Sequence, residues 1–426
     1  MTHIISENTR KKAKNVELLA PAGNMEKLIT AIHFGANAVY LAGKRYGLRA
    51  YADNFDDCEI AQATEYAHKH NVKVYVTLNI FPSNADFDEL ADYLAVLERA
   101  AVDAVLVSDL GVFSFVKAHS SLPIHISTQA NTTNKYAADY WRKAGAQRVV
   151  LAREVSLSDI AEISRFCGGL QIETFVHGAM CISYSGRCLM SNYLAHRNAN
   201  RGECVQACRW KWEVKEVGRE EYMPVEEDGR GTYLFNSKDM NMLAHLPRLI
   251  DAGVFSFKVE GRMKSPFYVA TVINAYRRAL DAIASGAFCD ELIAELNAEL
   301  NKASHREYTT GFYFAEEESR QYYPSSKATE TYKFVAVVKL VNSDGTVTIE
   351  QRNKFVIGDA LETLSATHDT NKTFTVTSCR DEQGQTVEVA NRVQQLLTIN
   401  CPYALSVGDI LRSRIPSKTA SRSGNE

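Results

Sequence analysis

Short apolar runs rich in β-branched residues alternate with longer segments of helical period along most of the chain. Eight such runs begin at Val16, Ala38, Lys73, Ala104, Ile124, Arg148, Gln171 and Ser256. Helices are predicted between them, among others at Met25 to Phe34, Phe55 to His70, Phe87 to Ala101 and Lys135 to Ala144. This alternation is typical of repeated βα units and a parallel sheet. Eight units over roughly 300 residues predict an α/β fold, a TIM-like (β/α)8 barrel.

The seventh unit is irregular, and the hydrophobic period changes near Ser304. An insertion at 178–235 separates the seventh strand from the helix-like segment "SKDMNMLAHLPRLIDAG". A Ser-rich linker at 316–327 precedes the alternating segments "YKFVAVVKLV", "GTVTIEQR", "TFTVTS" and "QQLLTI". The chain therefore predicts a barrel domain at 16–315 and a small all-β barrel domain at 328–413. Disordered ends are expected at 1–15 and 414–426.

Polar residues collect at or just after the ends of the predicted strands, where barrel enzymes place their active sites. The candidates for ligand binding are Arg45, Arg49, Asn79, Gln129, Arg153 and Arg262. Polar residues also follow strands because loops are exposed to water, so a single example carries little weight. Arginines that converge on one mouth suit a ligand with more than one carboxylate or phosphate, since a guanidinium group binds such anions through two hydrogen bonds.

Composition narrows the class of protein but not its activity. With 426 residues, 46% of them hydrophobic and 23% charged, the chain is typical of a globular protein. It has no apolar signal-peptide core at its start and no run of 18 apolar residues, so we expect a cytoplasmic protein without membrane attachment. The net charge of -3 provides no broad basic field for nucleic acid, although a local basic patch remains compatible with it.

Four cysteines cluster in the insertion with the spacing C-x6-C-x15-C-x3-C, at Cys181, Cys188, Cys204 and Cys208. Thiols stay reduced in the cytoplasm, so such a group indicates a metal or catalytic site rather than disulfides. Zinc sites generally use two close pairs, whereas a long loop suits an iron-sulfur cluster, and this spacing favours the cluster over zinc or redox thiols.

Aromatic and basic residues accompany the cysteines. Tyr184, Tyr193, Trp210 and Trp212 fit either stacking on an unpaired base or shielding a cluster from water, and shielding is the preferred interpretation for the tryptophans. Positive charge comes from His196, Arg197, Arg201 and Arg209, for which a solvated surface is an equally good interpretation.

The segment "ETFVHGAMCISYSGRCLMS", Glu173 to Ser191, resembles the signature of the peptidase U-32 family. The resemblance continues through "RGECVQACRWKW", "NSKDM" and "KVEGRMKS", and includes "ELLAPAGNMEKLITAIHFGANAVYLAG" and "SHREYTTGF". It spans Val16 to about Phe314, with the family's small C-terminal β-domain after it. In one departure, some relatives take a ligand from a cysteine where this chain has Asn241, and here Cys208 is available instead.

Within the family the chain most resembles the branch that acts on transfer RNA. That resemblance implies prephenate-dependent, oxygen-independent hydroxylation of uridine 34 to 5-hydroxyuridine. It also implies an iron-sulfur cluster, expected to be [4Fe-4S], on the four cysteines. The implied partners are tRNA and prephenate as cosubstrate, and an unidentified protein partner is left open. Glu173, His177 and Glu260 are the candidates for acid-base roles, although Glu173 also fits a place inside the barrel beside an arginine.

Three alternatives remain at this point. The family name implies a collagenase-like protease, but the chain has no H-E-x-x-H and no G-x-S-x-G segment. A hydroxylase of ribosomal RNA or of a quinone precursor would use the same parts. A non-enzymatic RNA-binding iron-sulfur subunit would explain the cysteines but not the polar barrel mouth.

Overall fold

The structure is a computed structural model that describes residues 5–48, 53–181, 183–210, 227–228, 231–232, 238–314 and 329–416. Seven parallel strands follow one another around a barrel: β1 (Glu17–Pro21), β2 (Ala38–Leu41), β3 (Lys73–Leu78), β4 (Ala104–Val107), β5 (Ile124–Ile126), β6 (Arg148–Val150) and β7 (Gln171–Ala179). In the insertion and just after it lie β8 (Glu227–Asp228), β9 (Gly231–Thr232) and β10 (Asp239–Asn241). The eighth barrel strand, β11 (Ser256–Val259), pairs in parallel with both β7 and β1 and closes the barrel. The predicted TIM-like fold is therefore confirmed.

Eleven helices belong to the described residues: α1 (Glu7–Ala13), α2 (Met25–His33), α3 (Asp57–Lys69), α4 (Leu90–Arg99), α5 (Leu110–His119), α6 (Lys135–Ala144), α7 (Leu157–Phe166), α8 (Met190–Ala195), α9 (Leu246–Asp251), α10 (Pro266–Ser285) and α11 (Asp290–Leu300). Polar side chains just before or within the first turn explain where several of these helices begin. Asp56 and Glu59 form a reciprocal capping box at α3, and Asn134 accepts two backbone N–H groups at α6. Gly145 ends α6 with φ of 105°, a conformation that favours glycine. None of the described helices is both long and apolar enough to cross a membrane.

The predicted disorder of residues 1–15 is wrong for the part that the structure describes. Ser6 caps α1, and Thr9 donates a hydrogen bond to Asp251 at the end of α9. Ile5, Thr9 and Ala13 are buried. Their spacing of four residues places them on one face of a helix, and that face packs on the barrel although the segment is otherwise polar and basic.

The segment after the insertion also differs from its prediction. The part of "SKDMNMLAHLPRLIDAG" that begins at Asp239 forms β10, which pairs antiparallel with the far end of β7. Only Leu246–Asp251 is α-helical, as α9. A short strand, β12 (Tyr308–Thr309), pairs with β10, so the barrel sheet is extended beside its mouth. In an apolar segment as short as this, the hydrophobic period alone does not distinguish a strand from a helix.

The C-terminal domain is all β, as predicted. Its strands are β13 (Tyr332–Val341), β14 (Thr346–Gln351), β15 (Phe355–Val356), β16 (Ala360–Leu364), β17 (Thr373–Thr375), β18 (Cys379–Arg380), β19 (Val389–Ala390), β20 (Leu396–Asn400) and β21 (Ile410–Arg414). Seven of them form one antiparallel sheet in the order β17-β16-β21-β13-β14-β20-β18. The predicted linker lies outside the described residues, and so does the predicted tail from residue 417 onward.

The C-terminal domain packs against the outer helices of the barrel. His33 of α2 lies 2.8 Å from Asp409, and Arg412 of β21 lies 2.7 Å from Glu299 of α11. Leu364 and Ile410 belong to the same hydrophobic core as the barrel residues. The two domains therefore share buried apolar contacts as well as ion pairs.

Candidate active site at the mouth of the barrel

A cavity of about 140 Å3 lies where the carboxyl ends of the barrel strands meet the insertion. This is well above the space that a single water molecule needs. Residues from seven of the eight barrel strands, or from the loops that follow them, line it on the barrel side, and residues of the insertion line it on the other. The polar residues of the barrel side are Thr77, Asn79, Ser127, Thr128, Gln129, Arg153, Lys258, Glu260 and Arg262. Of the residues predicted from the sequence, Asn79, Gln129, Arg153, Glu260 and Arg262 are thus brought together at one mouth.

Arg153 and Arg262 bring two guanidinium groups to this cavity. Arg153 lies with its guanidinium carbon 3.9 Å from the centre of the Phe175 ring, and its Nη2 is 3.3 Å from Oε2 of Glu260. Arg262 is buried and donates a hydrogen bond to the backbone carbonyl of Leu48. Both side chains are therefore oriented before any ligand binds, which favours the two-pronged recognition of an anion.

Amide and hydroxyl groups also line the cavity. Asn79 donates a hydrogen bond of 2.7 Å to Oε1 of Gln129 and accepts one from the backbone N–H of Leu48. Ser127 donates to the same oxygen of Gln129, at 3.1 Å. These residues hold one another in place and present neutral donors and acceptors to a ligand.

A fourth charged residue of the cavity, Lys258, was not singled out from the sequence. Its Nζ donates to Oε1 of Glu173 at 2.9 Å, and Arg148 contacts both Glu173 and Glu17 in the barrel interior. Burial lowers the pKa of Lys258, while the charge of Glu173 acts in the opposite direction. The sequence did hold a signal, because Glu17, Arg148, Glu173 and Lys258 all stand inside otherwise apolar strands.

Glu173 itself is not in the cavity. It is fully buried, with one carboxylate oxygen beside Lys258 and the other beside Arg148. Burial would raise its pKa, but the charges of Lys258 and Arg148 outweigh burial and lower the pKa to about 2. The proposed acid-base role is therefore wrong, and the alternative place inside the barrel beside an arginine is confirmed. Glu173 orients Lys258 from below.

His177 also lies away from the cavity. The register between β7 and β11 shifts between Lys258 and Val259, so a bulge places an extra residue of β7 just before His177. The ring packs instead against Tyr276 of α10, at 5.4 Å between ring centres, and against Tyr308. Burial, reinforced by the charges of His305 and Lys264, lowers its pKa to about 3. The predicted catalytic role of His177 is thus contradicted by its position on the outer side of the strand.

Arg45, another of the predicted arginines, does not line the cavity. Arg45 is half exposed, pairs with Asp57 and Glu89, and lies 4.8 Å from the centre of the Tyr93 ring. It points outward because carboxylates of α3 and of the loop before α4 compete for it. Arg49 lies outside the described residues.

All four clustered cysteines line the cavity opposite the strand ends. None forms a disulfide. The backbone N–H groups of Met190 and Gln206 donate to the sulfurs of Cys188 and Cys204, both at 3.4 Å, which stabilises thiolates. Within the described part of the chain, no three His, Cys, Asp or Glu side chains are gathered around one point closely enough to hold a single metal ion. Four thiols on one wall of the cavity are a donor set that suits an iron-sulfur cluster. Asn241 lies in β10 and does not line the cavity.

The segment that carries the cysteines, here named the cysteine cap, comprises residues 181–210 apart from 182. Arg201 fixes it to the loop after β3, with two hydrogen bonds of 2.8 Å to the carboxylate of Asp86. Ser185, at φ of 43°, is held by Glu154 through its hydroxyl and its backbone N–H, at 2.6 and 2.8 Å. Arg187 donates to the carbonyl of Gln129. The cap is therefore attached to three different strand ends and encloses the cavity.

Comparison with known proteins gives consistent matches over the whole chain. The model of peptidase family U32 matches residues 23–322, and the model of the family's C-terminal domain matches 330–412. The chain is 37% identical to "tRNA hydroxylation protein P1" of Bacillus subtilis, over 96% of this chain and 97% of that protein. It is 34% identical to "tRNA hydroxylation protein P" of Escherichia coli, over 88% and 91%. A solved structure described as the U32 peptidase Mk0906 is 14% identical with a TM-score of 0.39, covering 58% of this chain and 93% of that one.

Proposed function

This chain belongs to peptidase family U32, and from that premise we propose that it is a tRNA-modifying enzyme that hydroxylates uridine 34 to 5-hydroxyuridine. The proposal includes prephenate as cosubstrate and a [4Fe-4S] cluster bound by Cys181, Cys188, Cys204 and Cys208. The names of two relatives with similarity along nearly the whole chain support hydroxylation of tRNA. One observation carries the proposal: four thiols and three cationic side chains face the same enclosed cavity.

The charges of the cavity fit a ligand with two carboxylates, such as prephenate. Arg153 and Arg262 each offer a guanidinium group, and Lys258 adds a third positive charge at the floor of the cavity. Glu260 is the only carboxylate among the described residues that line it. The strand-end side of the cavity therefore carries three cationic side chains and one carboxylate, which favours the binding of an anion there.

Each group of residues has a separate task in this proposal. Arg153, Arg262 and Lys258 bind the carboxylates, while Asn79 and Gln129 orient the ligand through hydrogen bonds. Glu260, which accepts a hydrogen bond from Arg153 at 3.3 Å, is the proposed general base of the site. The cap keeps water out of the cavity. When bound, an iron-sulfur cluster supplies one-electron chemistry or polarises a ligand.

The peptidase alternative lacks its chemical parts at this site. A nucleophilic cysteine needs a neighbouring base, usually histidine. No histidine is among the described residues that line the cavity, and His177 lies on the outer side of β7. The cavity thus offers thiols without the imidazole that would activate one of them.

The decisive experiment combines the anaerobically purified protein with unmodified tRNA and prephenate, followed by mass analysis of the nucleosides. We expect 5-hydroxyuridine only when protein, tRNA and prephenate are all present. A ribosomal RNA fragment in place of tRNA should remain unmodified, and Glu260→Gln should abolish the product while the protein still binds iron. Product formation without prephenate, or cleavage of gelatin in place of RNA modification, would contradict the proposal.

A further inference from the structure

The outer surface of the cysteine cap differs in composition from the rest of the protein. Its inner side lines the cavity, but Tyr184, Leu189, Tyr193, Leu194 and Trp210 are exposed on it. The Tyr193 side chain is 76% exposed and that of Tyr184 is 50% exposed. Among the described residues six aromatic side chains are exposed, and three of them lie on this one short segment. Exposed rings at this density mark an interaction surface.

The same segment is basic in a chain that is acidic overall. Residues 181–210 contain Arg187, Arg197, Arg201 and Arg209 against one carboxylate, Glu203, so their net charge is 4 - 1 = +3. The whole chain has a net charge of -3. Glu203 accepts a hydrogen bond from the backbone N–H of Asn198, and Arg201 is paired with Asp86. Arg187 and Arg197 are exposed, and the guanidinium carbon of Arg187 lies 5.2 Å from the centre of the Phe81 ring.

We propose that the outer face of the cysteine cap, centred on Tyr193 with Tyr184, Arg187 and Arg197, binds an unpaired loop of RNA. Rings and guanidinium groups side by side are what proteins use to stack on splayed bases and to bind the phosphates between them. The net positive charge of the cysteine cap favours a polyanion over an uncharged surface or a protein with few acidic residues. This inference rests on the proposed function, because it names how the tRNA substrate is held.

The position of this surface relates it to the reaction in the cavity. The turn from Tyr184 to Gly186 connects the two, because Ser185 and Gly186 line the cavity beside Gln129 and Glu154 while Tyr184 is exposed. A nucleotide turned out of a loop bound on the cap would lie next to the cavity entrance. Enzymes that modify a base need such an arrangement, since the reacting atom must leave the stack.

The test measures equilibrium binding of unmodified tRNA and of a single-stranded RNA oligonucleotide, by fluorescence anisotropy at several salt concentrations. Tyr193→Ala should weaken binding about tenfold, the loss expected for one stacked base, and Tyr193→Phe should restore it. Arg197→Gln should reduce the slope of log affinity against log salt by about 0.7 for one lost phosphate contact on a single strand. Melting temperatures confirm that each variant is folded.

Matched controls come from the outer face of α6 and α7, which carries the other exposed rings. Tyr136 is 69% exposed there, and Arg165 is exposed beside Phe166. Tyr136→Ala and Arg165→Gln should bind RNA as the wild type does. The surface assignment is overturned if Tyr193→Ala binds RNA normally, if Tyr136→Ala loses as much affinity, or if a duplex competes as well as the single strand.

Failure of this inference can be told apart from failure of the proposed function. If the wild type hydroxylates tRNA and the cap variants bind and modify it normally, the function stands and the surface is wrong. If cap variants lose RNA binding while the wild type yields no hydroxylated nucleoside, the surface stands and the reaction is wrong.

Discussion

Arg153 and Arg262 are the two arginines that the fold brings into the cavity, while Arg45 is held outside it by Asp57 and Glu89. Replacing either cavity arginine by lysine keeps the charge but removes the planar fork. We predict that Arg153→Lys and Arg262→Lys raise the prephenate concentration needed for half-maximal hydroxylation by roughly tenfold to hundredfold, the value of a charge-assisted hydrogen bond.

Arg45→Lys is the control for this prediction, since it alters an arginine of the same sequence pattern outside the cavity. It should leave prephenate dependence unchanged, and tRNA binding should be similar in all three variants. Equal effects of the three substitutions would contradict the placement of the anion site.

The four cysteines of the cap are expected to bind iron together. Replacing any one of Cys181, Cys188, Cys204 and Cys208 by serine should lower the iron content and the visible absorption of the anaerobically purified protein, because each thiolate binds its own iron. Cys58→Ser changes an exposed thiol on α3 and should leave both unchanged. Stoichiometric zinc without iron in the wild type would contradict the cluster.

His177 provides a test of pH dependence. Its pKa in the folded protein, about 3, lies below the ordinary value of 6.5. The unfolded chain therefore binds the proton first, so the stability that neutral His177 contributes is complete above pH 6.5 and is lost as the pH falls from there toward 3. Between pH 7.5 and 5.5 the wild type should lose about 1.4 kcal/mol through this one group.

We predict that His177→Leu removes this part of the loss of stability, measured by chemical unfolding at both pH values. Hydroxylation should be retained in this variant, since the side chain is outside the cavity. If the His177→Leu protein folds but is inactive, His177 takes part in catalysis and the prediction is wrong.

At the scale of elements, the sequence predicted every barrel strand but not the direction of each side chain. All eight predicted runs contain a strand of the barrel, because β-branched apolar residues between helices leave few alternatives. The bulge before His177 depends on pairing between β7 and β11, which local sequence does not reveal. Likewise Arg45 and Arg153 both follow strands, and only the tertiary position of carboxylates decides which one reaches the cavity.

The missed strands of the C-terminal domain have a similar cause. β16 and β21 pair with each other, and β21 also pairs with β13, so both lie inside the sheet rather than at its edges. These two strands carry the charged residues Glu362 and Arg412, and their sequences do not show the regular alternation of apolar and polar residues that predicts a strand. These charges are satisfied by each other across the sheet, a pairing that only the folded structure shows.

The strength with which Arg201 attaches the cysteine cap to the barrel can be measured separately from the stability of the whole protein. Arg201→Gln should loosen the cap, because both hydrogen bonds to Asp86 and the one to the carbonyl of Phe81 are lost. We expect faster cleavage by chymotrypsin at Tyr193 and faster loss of iron to a chelator. The free energy of unfolding of the whole protein should change by at most about 1 kcal/mol, as for other exposed ion pairs.

Lys135→Gln breaks a comparable exposed ion pair, with Glu162 across α6 and α7. It should affect neither the rate of cleavage nor the loss of iron. If both variants behave alike, the cap does not depend on Arg201.

At the scale of the whole molecule, the C-terminal domain has a hydrophobic core of its own and also contributes to the core of the barrel. Leu364 and Ile410 are buried in the core that contains the barrel residues, and Phe267 of α10 stacks on Phe334 of β13. Removing the domain would expose this apolar surface of the barrel. The link between the two domains is therefore better tested by a substitution at their contact than by truncation.

Arg412 is the residue through which this coupling can be tested, because it lies between the two domains with no exposed surface. Its Nη2 is 2.7 Å from Glu299 of α11 and 2.8 Å from Glu362 of β16. Arg412→Met keeps most of the side-chain volume but leaves two carboxylates near each other, with only Lys302 between them. We predict a loss of about 3–5 kcal/mol in the free energy of unfolding, the usual result of removing one partner of a buried ion pair. Since the apolar contacts join the domains, calorimetry should show one transition that moves to lower temperature as a whole.

Arg380→Met, on the edge strand β18, should leave the melting temperature unchanged because that side chain is exposed. Two separate transitions, with only the smaller one shifted by Arg412→Met, would instead show that the barrel folds without its C-terminal partner.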